Sequence, residues 1–257
     1  MATLIPSIKN ASGERLGARL DLPLEGRPLA YAIFAHCFTC TKNIKAAAHI
    51  SRSLTKQRIA VLRFDFTGLG DSEGDFADTN FTSNVSDLLE VARYLEEEFE
   101  APKLLIGHSL GGSAALQAAQ HLPSVAGVVT IAAPFETSHL SRLLADTKAV
   151  AEIEGEARVM IGGTTFKLKK QFFDDLEQAN MQRTVENLGR ALLVLHSPAD
   201  RTVDIDNAMQ IFAAARHPKS FVSLDTADHL LSSQRDSWYA GEVIAAWASR
   251  WLRAAEE

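Results

Sequence analysis

The sequence predicts an α/β protein with a doubly wound, mostly parallel sheet and a small inserted lid. Three observations predict this fold: short apolar runs are bounded by turn residues, amphipathic helical patterns lie between them, and the alternation breaks at residues 134–189. Runs of about four to eight branched and aromatic residues are typical of strands buried on both faces. Strands that alternate with helices favour parallel pairing.

The first 28 residues are expected to add antiparallel strands at one edge of the sheet. Residues 15–20 alternate between polar and apolar side chains, and Pro23 and Pro28 end this pattern. Proline is confined to the edges and ends of strands because it cannot donate to the ladder. The central strands are predicted at residues 29–35, 60–64, 103–106, 125–131, 191–196 and 220–224.

Helices are predicted between these strands. From Val85 to Leu95, apolar residues recur at helical spacing and charged residues occupy the opposite face, which is typical of a helix lying on a sheet. Similar patterns predict helices at residues 46–57, 110–121, 206–215 and 238–254. We therefore assign residues 1–133 and 190–257 to the core of the fold.

Residues 134–189 are predicted to form the lid, because this segment is far longer than the single helix that would join two neighbouring strands. Within it, residues 157–161 and 166–169 alternate around two glycines, a pattern typical of a β-hairpin. Apolar residues at helical spacing follow, at Phe172, Phe173 and Leu176. These apolar residues either form the lid's own small core or line an apolar substrate pocket.

Composition and charge argue against several classes of function. The 257 residues are 46% hydrophobic and 23% charged, which is average for a globular domain. With 26 basic and 32 acidic residues the formal charge is -6, so no broad cationic surface for nucleic acid or acidic lipid is expected. Neither a signal peptide nor a membrane-spanning run is recognisable, which predicts a cytoplasmic, unanchored protein. No pattern specifies an oligomeric state.

The segment from Gly107 to Gly112 contains the clearest chemical signal. It has a G-x-S-x-G pattern between a predicted strand and a predicted helix. A sharp turn at this place lifts the hydroxyl of Ser109 above the sheet, and glycine lets the neighbouring backbones approach closely. The helix N-terminus also favours negative charge on a bound substrate. Ser109 is therefore the predicted nucleophile.

A serine nucleophile needs a base, and the base needs an acid that orients it. In this architecture the order along the chain is Ser, Asp, His, each after a strand. Asp200 follows the strand at 191–196, and His229 follows the strand at 220–224. Both are expected at the carboxyl edge of the sheet, where open α/β sheets bind ligands. The rival aspartates are Asp204, Asp206, Asp225 and Asp228, of which the first two suit a helix cap and the last adjoins His229.

Cys37 and Cys40 are the two cysteines of the chain. Their C-x-x-C spacing is typical of redox-active and metal-binding pairs. Zinc needs two further ligands, and only His36 and His49 lie nearby in the sequence, so we predict no metal and no cofactor. The pair is either a candidate redox pair, whose disulfide would distort the loop after the strand at 29–35, or two small, half-buried side chains beside the site.

These motifs resemble the α/β-hydrolase superfamily over nearly the whole chain. The Gly-rich turn at Gly107 to Gly112, which we call the elbow, matches the superfamily, and so does the Asp-x-x-Gly-x-Gly-x-Ser loop that begins at Asp65. This second loop is not predicted to bind phosphate, because it lacks the lysine of a phosphate-binding loop. The stretches HCFTCTKN, LRFDFTGLGDSEGDFADTNFTSNV, GHSLGG and HPKSFVSLDTADHLLS are more narrowly similar to a bacterial hydrolase module often fused to an OsmC-like peroxide-reducing domain. That domain is missing from the sequence, which ends at Glu257, so the resemblance does not imply peroxidase activity.

Acyl transfer also needs backbone donors for the developing oxyanion. One is predicted to be the N–H of Leu110, the residue after the nucleophile. By analogy with the His-Gly-x loop of these enzymes, the second is expected to be the N–H of Phe38. Cys37 stands where that loop usually has glycine, so Cys37 is the alternative donor.

The resemblance implies a carboxylic ester hydrolase or a related acyl hydrolase, with Ser109, Asp200 and His229 at the triad positions. We therefore expect a serine esterase that forms an acyl-enzyme with a small-molecule acyl ester. A serine at the elbow argues against dehalogenase and epoxide hydrolase chemistry, whose family members use aspartate there. Thioesterase, peptidase and acyltransferase activities share the triad and stay open, and a non-catalytic binding module is the other class of function.

Overall fold

The computed structural model describes residues 1–252. The strands in this part of the chain are β1 (Ala2–Leu4), β2 (Ser7–Lys9), β3 (Arg15–Leu22), β4 (Ala30–Ala35), β5 (Ile59–Phe64), β6 (Leu104–His108), β7 (Gly127–Ile131), β8 (Glu156–Ile161), β9 (Thr164–Lys169), β10 (Ala191–His196) and β11 (Lys219–Ser223). The α-helices are α1 (Lys45–Lys56), α2 (Phe81–Glu98), α3 (Leu110–Ala118), α4 (Ser138–Leu143), α5 (Ala145–Glu154), α6 (Lys170–Gln178), α7 (Met181–Glu186), α8 (Asp206–Ala214) and α9 (Gln234–Leu252). Short 3-10 turns lie at Phe76–Asp78 and Ala119–His121.

The predicted doubly wound, mostly parallel sheet is confirmed. Its strand order in the described residues is β1-β3-β5-β4-β6-β7-β10-β11, with β2 paired to β3. Every pair from β5 to β11 in this order is parallel. The N-terminal strands form the antiparallel edge, because β1 and β2 pair with β3, and β3 pairs antiparallel with β5.

Helices cover both faces of the sheet because its strands are apolar on both faces. In β4, Tyr31 and Ile33 face one hydrophobic cluster, while Ala32 and Phe34 face the other. Side chains of α2, α3 and α8 complete the first cluster, and side chains of α1 and α9 complete the second. Each large apolar side chain buried in this way stabilises the fold by about 1.5–3 kcal/mol.

Some element ends differ from the predicted ones. α2 begins at Phe81 rather than Val85, because Asn80 and Ser83 form a reciprocal capping box before it. β6 extends to His108, which places this histidine in the sheet rather than in the turn. α9 begins at Gln234, and residues 253 and 254 of the helix predicted at 238–254 lie outside the described residues.

Residues 134–189, which we call the inserted segment, contain α4 to α7 and a hairpin of β8 and β9. Val159 pairs with Phe166 in that hairpin. The segment packs on the rest of the chain through Phe172, whose ring centroid lies 5.3 Å from that of Phe38. The division into a core at 1–133 and 190–257 and a lid at 134–189 stays a prediction, and residues 253–257 of that core lie outside the described part.

Candidate active site

Ser109 occupies a sharp turn between β6 and α3. Its backbone has φ 54° and ψ −128°, a conformation that costs a residue with a side chain of order 1–3 kcal/mol. The turn is held by two hydrogen bonds: the Ser109 N–H donates to Ile131 O at 2.8 Å, and the Gly112 N–H donates to Ser109 O at 2.8 Å. These hydrogen bonds maintain a strained backbone that presents the hydroxyl at the carboxyl edge of the sheet.

The glycines of the elbow are required by close backbone approach. A Cβ atom at Gly107 would lie 2.1 Å from Gly111 O, and one at Gly111 would lie 2.3 Å from His36 O. The second contact joins α3 to the loop after β4. An alanine at Gly111 therefore displaces the loop that contains Phe38.

The structure brings Ser109, His229 and Asp200 into one chain of hydrogen bonds. His229 Nδ1 lies 2.8 Å from Asp200 Oδ2, and His229 Nε2 lies 3.1 Å from Ser109 Oγ. An ionised carboxylate only accepts hydrogen bonds, so the proton of the neutral imidazole sits on Nδ1. The lone pair of Nε2 then faces the serine hydroxyl, which is the arrangement that general-base catalysis needs.

Asp200 is buried and yet held in the ionised form. Burial by itself raises the pKa of the Asp200 carboxyl, but hydrogen bonds from His229 and from the N–H groups of Val203 and Thr202 outweigh it and hold the pKa below its usual value. The two backbone donors reach Oδ1 at 3.0 and 2.8 Å. His196 supports this loop, because its Nε2–H donates to Val203 O at 2.8 Å.

Three of the four rival aspartates have carboxylates that accept hydrogen bonds elsewhere. Asp204 accepts from the N–H of Asp206 at 2.9 Å, at the start of α8. Asp225 accepts from the Ser223 hydroxyl at 2.7 Å, and Asp228 accepts from the Ser232 N–H at 2.8 Å. Among these candidates, Asp200 is the one whose carboxylate meets His229.

His108 helps to position His229, a role that the sequence did not predict. Its Nε2–H donates to the backbone carbonyl of His229 at 2.6 Å, and the two rings lie 5.2 Å apart. Burial, together with the neighbouring His229, lowers the pKa of His108 to about 3, so the ring is neutral. The residue before the predicted nucleophile thus holds the loop that contains His229. Only the tertiary contact reveals this role.

Leu110 and Phe38, whose N–H groups are the predicted oxyanion donors, border the same cavity. Within residues 1–252, neither the N–H of Leu110 nor that of Phe38 donates to another protein group. Both residues line the cavity above Ser109. The loop that contains Phe38 is anchored at its start by His36, whose Nδ1–H donates to Cys37 O at 2.8 Å. Burial lowers the pKa of His36 to about 4, which keeps that ring neutral.

The other end of this loop is anchored by a buried ion pair. Lys42 Nζ lies 2.5 Å from Asp65 Oδ2, and the Lys42 N–H donates to Asp65 Oδ1 at 2.6 Å. Arg63 donates to Lys42 O at 2.6 Å. The glycine-rich loop that follows Asp65 folds around this carboxylate, because a Cβ at Gly70 would lie 2.3 Å from Asp65 Oδ2. The glycine-rich loop therefore helps to fix the position of Asp65 and, through it, of Lys42 at the end of the Phe38 loop.

Cys37 and Cys40 are joined in a disulfide, with their Cα atoms 5.3 Å apart. The bond closes a turn in which the Cys40 N–H donates to Cys37 O at 3.1 Å. Thr39, inside this turn, has φ 60°. Among the described residues, no group of three or more His, Cys, Asp or Glu side chains is arranged to hold a metal ion.

A cavity of about 420 Å³ lies above Ser109 and His229. Its walls come from both parts of the chain. The inserted segment contributes mostly apolar side chains, and the sheet edge contributes the disulfide, Phe38 and Val203. The lining residues of the inserted segment are Pro134, His139, Leu140, Leu143, Leu144, Ile161, Gly162, Thr164 and Phe166. Phe172, Phe173 and Leu176 are buried and are not among the residues that line this cavity.

A family model described as the alpha/beta hydrolase family matches residues 32–255. The chain belongs to the alpha/beta hydrolase family. This hydrolase is similar to the esterase domain of a Rhodothermus marinus protein, whose crystal structure aligns at 47% identity with a TM-score of 0.80. That comparison covers 98% of this hydrolase and 100% of the other chain.

More distant relatives extend the comparison. The mitochondrial palmitoyl-protein thioesterase ABHD10 of Mus musculus is 26% identical over 186 residues, which are 69% of this hydrolase and 61% of the relative. Est1E of Butyrivibrio proteoclasticus with bound ferulic acid has a TM-score of 0.80 at 18% identity, covering 96% of this hydrolase and 99% of that chain, and shows the shared fold. Within the described range, no helix of the hydrolase has the length and apolar character to cross a membrane.

Proposed function

We propose that this hydrolase is a serine esterase that cleaves carboxylic esters of small molecules through an acyl-enzyme on Ser109. The observation that supports this most directly is the hydrogen-bonded chain from Asp200 through His229 to Ser109, with separations of 2.8 and 3.1 Å. Ser109 and His229 lie on the floor of a cavity with a largely apolar lining. An ester with an apolar acyl group suits both features.

In the proposed acylation step, Ser109 Oγ attacks the carbonyl carbon of the ester while His229 Nε2 takes the hydroxyl proton. The resulting imidazolium is stabilised by the ionised Asp200, which accepts the Nδ1–H hydrogen bond. The tetrahedral intermediate then expels the alkoxide. His229 returns the proton to this leaving group, and the acyl-enzyme remains.

Deacylation repeats these steps with water. His229 Nε2 removes a proton from water, the hydroxide attacks the acyl carbonyl, and Ser109 leaves with the proton that His229 returns. In both steps negative charge collects on the former carbonyl oxygen. We assign its stabilisation to the N–H groups of Leu110 and Phe38, and removal of one such donor costs about 10²- to 10³-fold in kcat.

The inserted segment is proposed to act as a lid that selects the acyl group. Leu140, Leu144, Ile161 and Phe166 belong to this segment and line the cavity. Each methylene that a substrate places in an apolar pocket of this kind contributes about 1–3 kcal/mol to discrimination. Chain length is therefore the substrate property to which this site responds most.

Thioester hydrolysis is the second candidate, favoured by the similarity to the mouse palmitoyl-protein thioesterase. A thioester passes through the same tetrahedral intermediate, so the triad and the donors suit both substrates. The two differ in the leaving group, because a thiolate leaves without the proton that an alkoxide requires. A non-catalytic binding module is the less favoured alternative, since His229 lies within hydrogen-bond distance of Ser109.

The test is hydrolysis of p-nitrophenyl esters from acetyl to long-chain acyl, beside the matching thioesters, by the wild type and by Ser109→Ala. We expect turnover that falls by at least about 10³-fold in the variant, with an optimum at an intermediate or long acyl chain. Ser113→Ala is the matched control, because its hydroxyl is buried and donates to Pro134 O rather than facing His229. Rates equal in wild type and Ser109→Ala would contradict the proposal.

A further inference from the structure

The disulfide between Cys37 and Cys40 encloses the proposed oxyanion donor Phe38. None of the steps proposed for ester hydrolysis requires this disulfide bond. The fold does not need it as a long-range staple either, because the cross-link spans only three residues of separation and a loop this short constrains the unfolded chain little. Its position in the wall of the substrate cavity calls for another explanation.

We propose that this disulfide is a thiol–disulfide exchange site, reached through the substrate cavity, whose reduction by a small dithiol lowers the hydrolytic rate. The inference rests on the proposed esterase function for its activity readout. Its chemical basis is independent of that function, since it concerns access to the two sulfur atoms and the conformation of the turn between them.

Access differs between the two cysteines. Cys37 is 3% exposed, whereas Cys40 is half-buried, and both residues line the cavity. A small thiolate that enters the cavity therefore meets the sulfur of Cys40 first. Its attack forms a mixed disulfide with Cys40 and releases the Cys37 thiolate, which takes up a proton.

The second thiol of the dithiol completes the exchange. It attacks its own mixed disulfide, releases Cys40 as a thiol, and leaves the reductant as a cyclic disulfide. Two electrons and two protons pass from the dithiol to the cysteine pair, so the reaction balances. An oxidising disulfide of the same class reverses it.

The turn is strained in a way that the cross-link maintains. Thr39 has φ 60°, a left-handed conformation that is strongly disfavoured for a β-branched residue. In the reduced protein the backbone hydrogen bond from Cys40 to Cys37, at 3.1 Å, is left to close the turn. We expect Thr39 then to relax to negative φ.

The relaxation is confined to the residues around the proposed donor. His36 is fully buried at one end of the loop, and Lys42 is bound to Asp65 at the other. The Phe38 ring also rests on Phe76 and Phe172, at centroid distances of 5.6 and 5.3 Å. The peptide planes between these anchors absorb the change, and they include the Phe38 N–H. Loss of alignment at this donor affects kcat more than KM.

The experiment measures ester turnover and free thiols on the same sample, before and after dithiothreitol and again after reoxidation. We expect two thiols per chain, a kcat lowered by about 10- to 100-fold, a smaller change in KM, and recovery on reoxidation. The double variant Cys37→Ser, Cys40→Ser is expected to have the low kcat in all three states. The amide resonance of Phe38 in ¹⁵N spectra supplies a readout that needs no substrate, and we expect it to shift on reduction.

Two results would overturn the inference. One is full reduction with unchanged kcat and an unshifted Phe38 amide, and the other is a disulfide that resists dithiothreitol in the folded protein. Absence of ester turnover in both redox states would count against the proposed function alone, because thiol titration and the Phe38 resonance still decide the exchange site.

Discussion

His108 Nε2 donates a hydrogen bond of 2.6 Å to the backbone carbonyl oxygen of His229. His108, which precedes the proposed nucleophile Ser109, thereby holds the loop that contains the proposed base His229. The two histidines are 121 positions apart in the chain. The bond is shielded from solvent because His108 is 2% exposed. Ser109 and His229 are consequently positioned by the same short stretch of β6.

Replacing His108 with alanine is expected to lower kcat by about tenfold, because His229 loses the contact that sets its distance from Ser109. The orphaned carbonyl also lowers the free energy of unfolding by about 1–3 kcal/mol. His108→Gln keeps a donor near the position of Nε2 and should restore most of the rate. Steady-state kinetics and urea unfolding of the three proteins check this, and an alanine variant with wild-type kcat would refute it.

The stability of the protein is expected to fall below about pH 6.5 because of the same histidine. Burial lowers the pKa of His108 to about 3 in the folded protein, whereas it is about 6.5 in the unfolded chain. Between these values the unfolded chain binds the extra proton, so acid favours unfolding. At pH 5 this single group reduces the free energy of unfolding by about 2 kcal/mol.

Urea unfolding at pH 7.5 and pH 5 of wild type and His108→Gln isolates this contribution. The variant should lose about 2 kcal/mol less than the wild type over that interval. The comparison cancels the other groups, including Asp87, whose pKa is raised to about 6 by burial and whose effect has the opposite sign. Equal losses in the two proteins would show that His108 is not the group responsible.

Lys42, which anchors the Phe38 loop, contacts two carboxylates, and their removal should lower the free energy of unfolding by unequal amounts. Lys42 Nζ lies 2.5 Å from both Asp65 and Asp71, but the Asp65 side chain is 0% exposed and the Asp71 side chain is 69% exposed. Asp65→Asn leaves a buried ammonium poorly compensated and should lower the free energy of unfolding by about 3–5 kcal/mol. Asp71→Asn is the matched control, expected to cost less than about 1 kcal/mol. Similar losses in the two variants, measured by urea unfolding, would contradict this account.

The tip of the hairpin is expected to set the longest acyl chain that the enzyme accepts. Ile161 lines the cavity, while its neighbour Met160 is 74% exposed. Ile161→Trp should lower kcat/KM for long-chain esters by about tenfold or more and leave acetyl esters nearly unchanged. Met160→Trp adds similar bulk outside the cavity and should leave the chain-length profile as it is. A profile displaced by Met160→Trp instead would place the acyl group elsewhere.

Local patterns were sufficient to predict the sheet and to nominate the residues of the site. Most of the central strands have near-continuous apolar runs, and Ser109, Asp200 and His229 each lie in the turn or loop that follows a strand, β6, β10 and β11 respectively. Parallel strands end at one edge, so the positions in the chain imply proximity in space. In the structure His229 does lie within hydrogen-bond distance of both Asp200 and Ser109.

These local patterns could not predict contacts between segments that are distant in the sequence. The bond from His108 to His229 and the pair of Lys42 with Asp65 join parts of the chain that no periodicity relates. α5 was missed because its residues form no clear apolar stripe: Val150 and Ile153 are exposed, and Ala151 is its one buried residue among those described. The C-x-x-C spacing left both a disulfide and two unbonded cysteines open, and in the structure the two sulfur atoms are bonded.

The central claim is that Ser109 is a nucleophile activated by His229, and a fluorophosphonate probe tests it without knowledge of the natural substrate. Peptide mass spectrometry of the labelled protein should find one equivalent of probe per chain, attached to Ser109. Labelling should slow by at least about 10³-fold in His229→Ala and be lost in Ser109→Ala. Failure of the wild type to react, or modification at another serine with Ser109 untouched, would contradict the account.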